Sequence, residues 1–488
     1  MFFERLSIII IILLCLVNNV GYVSIASEQL VIIDSDMRLT FTNNRSFMPT
    51  IAAEGNNIHV VWIETGYGRE SFLWYMNSKD SGQTWSTPFN LIKDTTASAS
   101  SPKIAIYENN IHVIWMESYD KKVHYIRSSD NGNTWFTEVI ITPTVYSLVS
   151  NWDIGVYGKN LHVVYIDTHF KLSYIKSIDN GTTWCAPEVL ISNHTKAVNS
   201  AIAVNGKAIH IVWEDIDRAG YLNSDIYYIR SDDNGVTWTI DINISNSTLI
   251  KNYYIDIETE NNFIYVIYGH EEGPRQIYMS YSRNNGIEWI NNIKLTNSSQ
   301  YISYPSISAA KDKIFIVWTD RRDGTNQVYY KYSSDYGDSW CNDTRLSIAS
   351  PFSSWPDIYM DNNRAYIVWS DTRDGNGEIY FKQYSEKINI SLDIDPDTLN
   401  LKSKGRWITC YIDLPEGYDV NEIDINTILL EDTIPAEWGD VQGTTLMVKF
   451  DRAEVEDILD PNEEQYLTVT MNLVYGSTLQ SQARIRVI

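Results

Sequence analysis

The chain has 488 residues, 44% of them hydrophobic and 20% charged, and its formal net charge at pH 7 is −24. So acidic a protein is repelled by nucleic-acid phosphates, which argues against nucleic acid as a partner, and it equally disfavours anionic lipid surfaces. The charge favours solubility and association with cations, and by itself it specifies no function.

Residues 1–26 predict a secretory signal peptide. Arg5 lies in a short n-region, an apolar run follows over residues 8–17, and the small residue Ala26 precedes the expected cleavage point. So short a run spans a bilayer poorly, although an uncleaved anchor is left open as an alternative. We therefore expect a secreted, extracellular protein with no membrane span after cleavage.

From residue 78 onward, one eight-residue pattern recurs six times at intervals of 49 to 54 residues. The copies end at Trp85, Trp135, Trp184, Trp238, Trp289 and Trp340. In each copy we expect an aspartate to accept hydrogen bonds from the next two N–H groups, a glycine to supply positive φ, and the tryptophan to pack between sheets. The aspartates are Asp80, Asp130, Asp179, Asp233 and Asp335, and the fifth copy has Asn284 instead. A repeat of this length predicts an array of small sheets.

Each repeat also contains four strand-like segments. In the first repeat these are residues 49–52 (strand A), 58–62 (strand B), 73–76 (strand C) and 89–92 (strand D), with the eight-residue turn between strands C and D. Strand B recurs seven times and is rich in β-branched and aromatic residues, as a buried strand should be. Four-stranded meanders repeated around an axis predict the blades of a β-propeller.

The pattern S-x-D-x-G-x-[TS]-W resembles the Asp-box, or BNR repeat, of the sialidase-like propellers, which implies an all-β fold. The seventh repeat ends after strand C, whereas residues 36–40 look like an isolated strand D. We expect this N-terminal strand to complete the last blade and so cover its sheet edge. The prediction is a seven-bladed β-propeller, and six blades are left open because sialidases usually have six.

The repeat stops near residue 388, where a smaller C-terminal domain is predicted. Alternating segments over residues 407–412, 445–450 and 466–471 are typical of an immunoglobulin-like β-sandwich. Its opening, residues 393–405, resembles modules on secreted archaeal and bacterial proteins, which implies attachment or spacing. The predicted domains are the signal peptide (1–26), the propeller (27–387) and the sandwich (388–488).

Cysteine and histidine positions predict neither a disulfide nor a metal site. Cys185 and Cys341 follow the turn tryptophans of repeats three and six, which a ring holds too far apart for a disulfide. Four histidines share one strand B position with aromatic residues of the other repeats, so we interpret it as a packing position. These histidines are His59, His112, His162 and His210. No cofactor is expected, although Ca²⁺ is left open.

Candidate ligand-binding residues lie in the loops between strands B and C, on the face opposite the Asp-box turns. Six of these loops begin with an acid: Glu64, Glu117, Asp167, Asp215, Asp320 and Asp371. A ring of carboxylates suits Ca²⁺ or sugar hydroxyls, and the alternative is that each acid accepts N–H bonds within its own loop. Arg322 and Arg373 follow two of the acids, either to clamp a substrate carboxylate or to stabilise the turn.

The fifth repeat departs most from the pattern, with His270 where an acid is expected, followed by Glu271 and Arg275. An irregular unit in a repeat array is where a specific site can be added, because the other units already satisfy the fold. Random drift is the alternative. The candidate ligand-binding set is therefore Asp215, His270, Glu271, Arg275, Asp320, Arg322, Asp371 and Arg373.

The resemblance to sialidases does not extend to their catalytic residues. Those enzymes need an arginine in a first-strand F/Y-R-I-P motif, two further arginines, an aspartic acid and a tyrosine nucleophile activated by a glutamate. In the closest segment here, residues 47–50, Met48 occupies the arginine position. Because the guanidinium fixes the substrate carboxylate, we do not expect hydrolysis of sialosides.

Two functional hypotheses follow. The first is a non-catalytic extracellular propeller that binds a glycan or a cell-surface protein, with the sandwich as a tether or spacer. The second is an exo-glycosidase that uses two loop acids, such as Asp215 and Asp320. A glycosidase needs two carboxyl groups about 5 to 9 Å apart across a cleft.

Overall fold

The computed structural model describes residues 30–32, 36–66, 70–92, 98–145, 152–190, 196–216, 224–245, 251–271, 273–348, 350–361, 364–386, 390–414, 419–461, 463–473 and 478–488. The predicted signal peptide lies outside these ranges. Within them, no helix is long and apolar enough to cross a membrane.

Seven antiparallel sheets, which we call blades 1 to 7, follow one another along the described chain. Two short strands precede them, β1 (Leu30–Ile32) and β2 (Met37–Arg38). Blade 1 contains β3 (Ser46–Glu54), β4 (Asn57–Thr65), β5 (Ser71–Ser78) and β6 (Phe89–Asn90). Blade 2 contains β7 (Ala99–Tyr107), β8 (Asn110–Glu117), β9 (Lys122–Ser128) and β10 (Val139–Ile140). Blade 3 contains β11 (Trp152–Tyr157), β12 (Asn160–Ile166), β13 (Leu172–Ser177) and β14 (Glu188–Val189).

The remaining blades follow the same order. Blade 4 contains β15 (Ala197–Asn205), β16 (Ala208–Ile216), β17 (Ser224–Ser231) and β18 (Ile242–Asn243). Blade 5 contains β19 (Asn252–Glu260), β20 (Phe263–Glu271), β21 (Arg275–Ser282) and β22 (Ile290–Lys294). Blade 6 contains β23 (Ile302–Ala310), β24 (Lys313–Asp320), β25 (Gln327–Ser333) and β26 (Thr344–Arg345). Blade 7 contains β27 (Ser353–Asp361), β28 (Arg364–Asp371) and β29 (Glu378–Glu386).

The blades form a closed ring around a central channel. The first strand of each blade contacts the first strand of the next, and β27 of blade 7 contacts β3 of blade 1. The hydrophobic clusters lie between blades, so that Val61 and Tyr75 of blade 1 pack with Val113 and Trp115 of blade 2. Because both faces of every sheet are covered in this way, the second strand of each blade is almost entirely buried.

The predicted closure by the N-terminal strand is present. Strand β2 pairs with β29, with Met37 opposite Phe381 and Arg38 opposite Tyr380. The Leu39 N–H continues the ladder by donating to the Ile379 carbonyl at 2.8 Å. Blade 7 therefore receives its outer strand from the start of the propeller, and its sheet edge is covered.

The Asp-box turns lie beside the turns between the first and second strands. In blade 1, the Ser81 N–H donates to the Asn56 carbonyl at 2.9 Å, and the other five boxes repeat this contact. We call this the Asp-box face. The opposite end of the ring, where the Glu64, Asp320 and Asp371 loops begin, is the loop face.

The hydrogen bonds inside each Asp-box differ from the expectation. The carboxylate of Asp80 accepts from the Thr84 N–H at 2.8 Å and from the Thr84 hydroxyl, four residues on, and not from the next two N–H groups. The Ser78 hydroxyl accepts the Gly82 N–H at 2.8 Å. The expectation was wrong because the Gly82 N–H donates to the serine hydroxyl and the Ser81 N–H to the Asn56 carbonyl, so the aspartate bonds Thr84 instead.

The four strand B histidines are packing residues. Each is fully buried, and its Nδ1 lies 2.6 to 2.8 Å from a tyrosine hydroxyl of the third strand. Burial lowers the pKa of His59 and His162 to about 4, so the rings are neutral. The Asp-box tryptophan of the next blade completes the arrangement, since Trp135 lies edge-on to Tyr75 at 4.9 Å.

Beyond the propeller, residues 390–488 form two sheets around a separate hydrophobic core. The first sheet has the order β30 (Ser391–Asp395), β32 (Trp407–Asp413), β36 (Thr445–Asp451) and β35 (Trp438–Gln442). The second has the order β31 (Thr398–Leu399), β38 (Thr478–Val487), β37 (Glu464–Leu473), β33 (Ile423–Leu430) and β34 (Ile434–Pro435). A short helix α1 (Arg452–Asp457) and a 3₁₀ turn (Val420–Glu422) complete it. Cys185, Cys341 and Cys410 are free thiols.

Candidate functional site

The two predicted aspartate–arginine turns on the loop face are internal salt bridges. Asp320 is fully buried and accepts from Arg322 at 2.6 and 2.9 Å and from the Ser298 hydroxyl at 2.9 Å. Asp371 is also fully buried and accepts from Arg373 at 2.7 Å. In both pairs the arginine therefore bonds the aspartate of its own turn, which is the turn-stabilising alternative of the sequence analysis.

The other loop acids bond mainly to their own surroundings. Asp167 accepts from the N–H groups of His169 and Lys171 at 2.8 and 2.9 Å, and Glu117 accepts from the Ser98 N–H at 2.9 Å. Asp215 is buried in β16, opposite Ala197 of β15. Among the residues that the structure describes, no group of three or more histidine, cysteine, aspartate or glutamate side chains is arranged to hold a metal ion.

Blade 5 places its three candidate residues in two different environments. His270 is buried, with its Nδ1 2.7 Å from the Asn252 amide oxygen and its ring 4.5 Å from that of Tyr278. Arg275 and Glu271 form an ion pair, with 3.7 Å between the guanidinium and the carboxylate. His270 is thus part of the blade interior, and Arg275 is the candidate that approaches the centre of the ring.

Gly269 leaves room for the Arg275 side chain. A Cβ at this glycine would lie 2.9 Å from the Arg275 Cδ, so a larger residue would displace the arginine side chain. The guanidinium stacks 3.8 Å from the ring centre of Tyr253 and 5.3 Å from that of Tyr254. Burial and the neighbouring Glu271 raise the pKa of Tyr253 to about 12, so this phenol stays protonated.

The sequence did not predict a set of β-bulges around the channel mouth on the loop face. In six blades the first strand carries one extra residue near its start, where the ladder register shifts. These six bulge residues all have positive φ, between 47° and 54°, although none is glycine. They are Met48, Ser101, Asn199, Tyr254, Tyr304 and Trp355. A left-handed backbone at a residue other than glycine costs about 1 to 3 kcal/mol, and in this protein it also occurs in structural turns, for example at Ser81 of the first Asp-box.

The bulges surround a cavity of about 130 Å³ at the channel mouth, which we call the central cavity. Its wall is aromatic on one side, where Tyr254 lies 5.0 Å from Tyr304 and Tyr304 lies 5.9 Å from Trp355. Trp152 and Met48 line the other side. A concave surface that combines aromatic rings with a few polar groups is a candidate ligand site.

Charged side chains form the floor of the central cavity. Lys103, Asp256 and Asp357 line it, and Asp153 lies 3.8 Å from the Lys103 ammonium. Asp256 is half-buried. Burial raises its pKa to about 7, although the positive charge of Lys103 opposes the shift.

Glu214 is a further buried acid in the neighbouring blade 4. It is 4% exposed and accepts a 2.6 Å hydrogen bond from the amide of the bulge residue Asn199. Burial raises its pKa to about 7, against the hydrogen bonds from Asn199 and Ser224 and the charge of Arg275. At neutral pH it therefore exists in both protonation states.

The eight predicted ligand-binding residues do not line the central cavity, and Arg275 approaches it through Tyr254. Sequence reasoning missed the bulge residues, but a signal was present. In four blades a proline directly follows the bulge residue: Pro49, Pro102, Pro305 and Pro356. A proline recurring inside a strand marks an interrupted ladder.

Comparisons with known proteins agree with this fold. Residues 174–398 match the family described as BNR repeat-like domain. No curated protein sequence matches the chain. An ulvan lyase, described as a new family of polysaccharide lyase, is similar to this chain with a TM-score of 0.50 and 12% identity, covering 73% of this chain and 96% of the lyase. A protein of unknown function from Dyadobacter fermentans DSM 18053 is similar at 13% identity, covering 73% of this chain and 99% of its own, with a TM-score of 0.49.

Proposed function

Because the chain is a β-propeller of the Asp-box (BNR repeat) type, we propose that it is a secreted, non-catalytic protein that binds a glycan in the central cavity. The sandwich would act as a tether or spacer. An ulvan lyase of similar fold has been solved with a bound -[GlcA(1-4)Rha3S]- fragment, so a propeller of this kind accommodates a saccharide.

The aromatic wall is the observation that carries the proposal. Tyr254, Tyr304 and Trp355 present adjoining rings at the mouth of the channel, and Phe47 lies 5.9 Å from Trp355. Aromatic rings offer large apolar faces to the C–H groups of a sugar ring, while phenol and indole groups bond its hydroxyls. All three rings are held by strained bulges, which supports a role beyond packing.

The loop acids favour binding over catalysis. Asp320 and Asp371 are committed to arginine partners, and the Tyr253 phenol stays protonated beside Glu271. A tyrosine nucleophile needs the opposite shift of its pKa.

A glycan array followed by calorimetry of the best ligand tests the proposal. Trp355→Gly and Tyr304→Gly remove a ring and suit the left-handed backbone, so the fold is kept. Each variant should lose at least about tenfold in affinity, or ~1.4 kcal/mol. The matched control is Phe136→Ala, an exposed aromatic beside the Asp-box of blade 2, which should bind normally. If no glycan binds while intact cells still do, the partner is a cell-surface protein and the glycan proposal is wrong.

A glycosidase is the second candidate, and Glu214 is the observation that favours it. A carboxyl group with a pKa of about 7 suits a general acid near neutral pH. A panel of chromogenic glycosides tests this candidate, with Glu214→Gln expected to lower any turnover by ~10² or more. We expect no release of sialic acid, because Met48 provides no guanidinium. Turnover abolished by Glu214→Gln would defeat the non-catalytic proposal.

A further inference from the structure

The Lys103 ammonium is the group in the central cavity that is best placed to bond a ligand. Among the residues that the structure describes, it is the only basic one that lines the cavity. Its nearest carboxylate oxygen, on Asp153, is 3.8 Å away, beyond hydrogen-bonding distance. The side chain is 37% exposed, to the cavity and channel. The ammonium can therefore donate hydrogen bonds to a ligand at the floor.

The surrounding carboxylates are held in place by other partners. The Asp153 oxygens accept from the N–H groups of Ile154 and Ile202, both at 3.0 Å. Asp256 accepts from the Ile307 N–H at 2.9 Å, and Asp357 from the Ile51 N–H at 2.9 Å. Moving a carboxylate toward the ammonium would break a contact between blades. The hydrogen bonds between blades therefore keep the carboxylates away from the Lys103 ammonium.

The electrostatics of the floor disfavour an anionic ligand. Asp153, Asp256 and Asp357 surround one ammonium, and their negative charges hold the Lys103 pKa above its usual value. When all are ionised, the carboxylates exceed the ammonium by two charges. Burial raises the pKa of Asp256 to about 7, with smaller contributions in the same direction from the charges of Asp153 and Asp357. A ligand carboxylate or sulfate would bring a further negative charge beside them, at an electrostatic cost.

Neutral hydroxyl groups meet no such cost. A sugar hydroxyl can accept from the ammonium and donate to a free lone pair of a neighbouring carboxylate. The cavity of about 130 Å³ equals the volume of roughly four water molecules. It therefore admits the hydroxyls along one edge of a sugar ring, while the ring itself stacks on the aromatic wall.

From this geometry we infer that Lys103 is the specificity-determining residue of the central cavity and that the inserted unit is an uncharged, hydroxyl-bearing sugar. This inference rests on the proposed glycan-binding function.

The test measures affinities for neutral hexose oligosaccharides and for the same oligosaccharides capped with sialic or glucuronic acid. Lys103→Met keeps the aliphatic stem and should weaken neutral-glycan binding about 10- to 100-fold, the usual range for hydrogen bonds from a charged donor. Lys103→Met/Asp256→Asn removes one negative charge as well, which preserves folding if the single variant is unstable, and it should show the same loss. The control, Lys79→Met on the Asp-box face, should bind normally.

The outcomes separate the two proposals. Unchanged neutral-glycan affinity in the folded double variant overturns the inference about Lys103. Acid-capped glycans that bind tighter than their neutral counterparts, with a loss in Trp355→Gly, overturn the neutral-sugar assignment and leave the glycan-binding function standing. Absence of binding to either class overturns the proposed function and the inference with it.

Discussion

Replacing Asp36 by asparagine should weaken the closure of the ring. The carboxylate lies 2.7 Å from both the Lys382 ammonium and the Arg373 guanidinium, and these side chains are 5%, 4% and 19% exposed. Removing one member of a buried ion pair typically costs about 3 to 5 kcal/mol, because its partner stays buried and unpaired. Arg373 keeps Asp371 as a second partner, so the loss is mainly at Lys382. We expect a decrease of ~3 kcal/mol in the free energy of unfolding.

Unfolding in guanidinium chloride measures the change in the free energy of unfolding, and amide hydrogen exchange shows where in the structure it occurs. The Leu39 amide, which bonds the Ile379 carbonyl at 2.8 Å, should exchange faster in the variant. Glu464→Gln is the control, because its pair with Arg484 is 53% and 64% exposed and such pairs contribute about 0 to 1 kcal/mol. If Asp36→Asn unfolds like the parent and Leu39 exchange is unchanged, the ion cluster does not hold the ring closed.

Three further predictions concern packing and pH. Gly132→Ala should lower the free energy of unfolding by more than ~3 kcal/mol, since the new Cβ would lie within 2 Å of the Tyr75 hydroxyl. The control Gly158→Ala, also at positive φ but in open space, should lower it by ~1 to 2 kcal/mol. Equal losses would contradict the close packing at Gly132. Burial lowers the pKa of His59 to about 4, so the parent loses stability as pH falls from 6.5 toward 4, and His59→Phe should lose less between pH 7 and 4.5 in the same unfolding assay. Burial raises the pKa of Glu258 to about 8, so the contribution of its protonated form to the free energy of unfolding is complete below about pH 4.5 and declines as pH rises through 8. Glu258→Gln should therefore show a flatter dependence of stability on pH from 5 to 8. An unchanged slope would refute the assignment.

The fold could be predicted from the sequence because its determinants are local and repeated. Each Asp-box turn is stabilised by contacts within its own sequence, such as those between Asp80 and Thr84. The closing strand was also predictable, since residues 36–40 have no partner in their own repeat and blade 7 lacks an outer strand. The detail of the Asp-box hydrogen bonds was not, because the competition between a serine hydroxyl and an aspartate for the same N–H groups depends on backbone geometry.

The candidate site was harder to predict because it is built from residues about fifty positions apart that meet only in the closed ring. The predicted candidates were charged loop residues, and most of those acids accept hydrogen bonds within their own loops. The cavity is instead made by bulges, which rotate Tyr254, Tyr304 and Trp355 toward the channel without any unusual residue type. The recurring prolines after four bulges were the accessible signal.

An odd number of blades gives Lys103 its setting. At one level of the channel, the aspartates of blades 3, 5 and 7 each accept an N–H from the following blade, as Asp153 does from Ile202. Such an alternation cannot be completed in a ring of seven, so two adjacent blades, 1 and 2, lack the acid. Blade 1 receives the bond from Asp357 of blade 7, which leaves blade 2 outside the alternation among the described contacts. Its residue at this level is Lys103, which is therefore the position where the ring could accept a cation facing the cavity without losing a bond between blades.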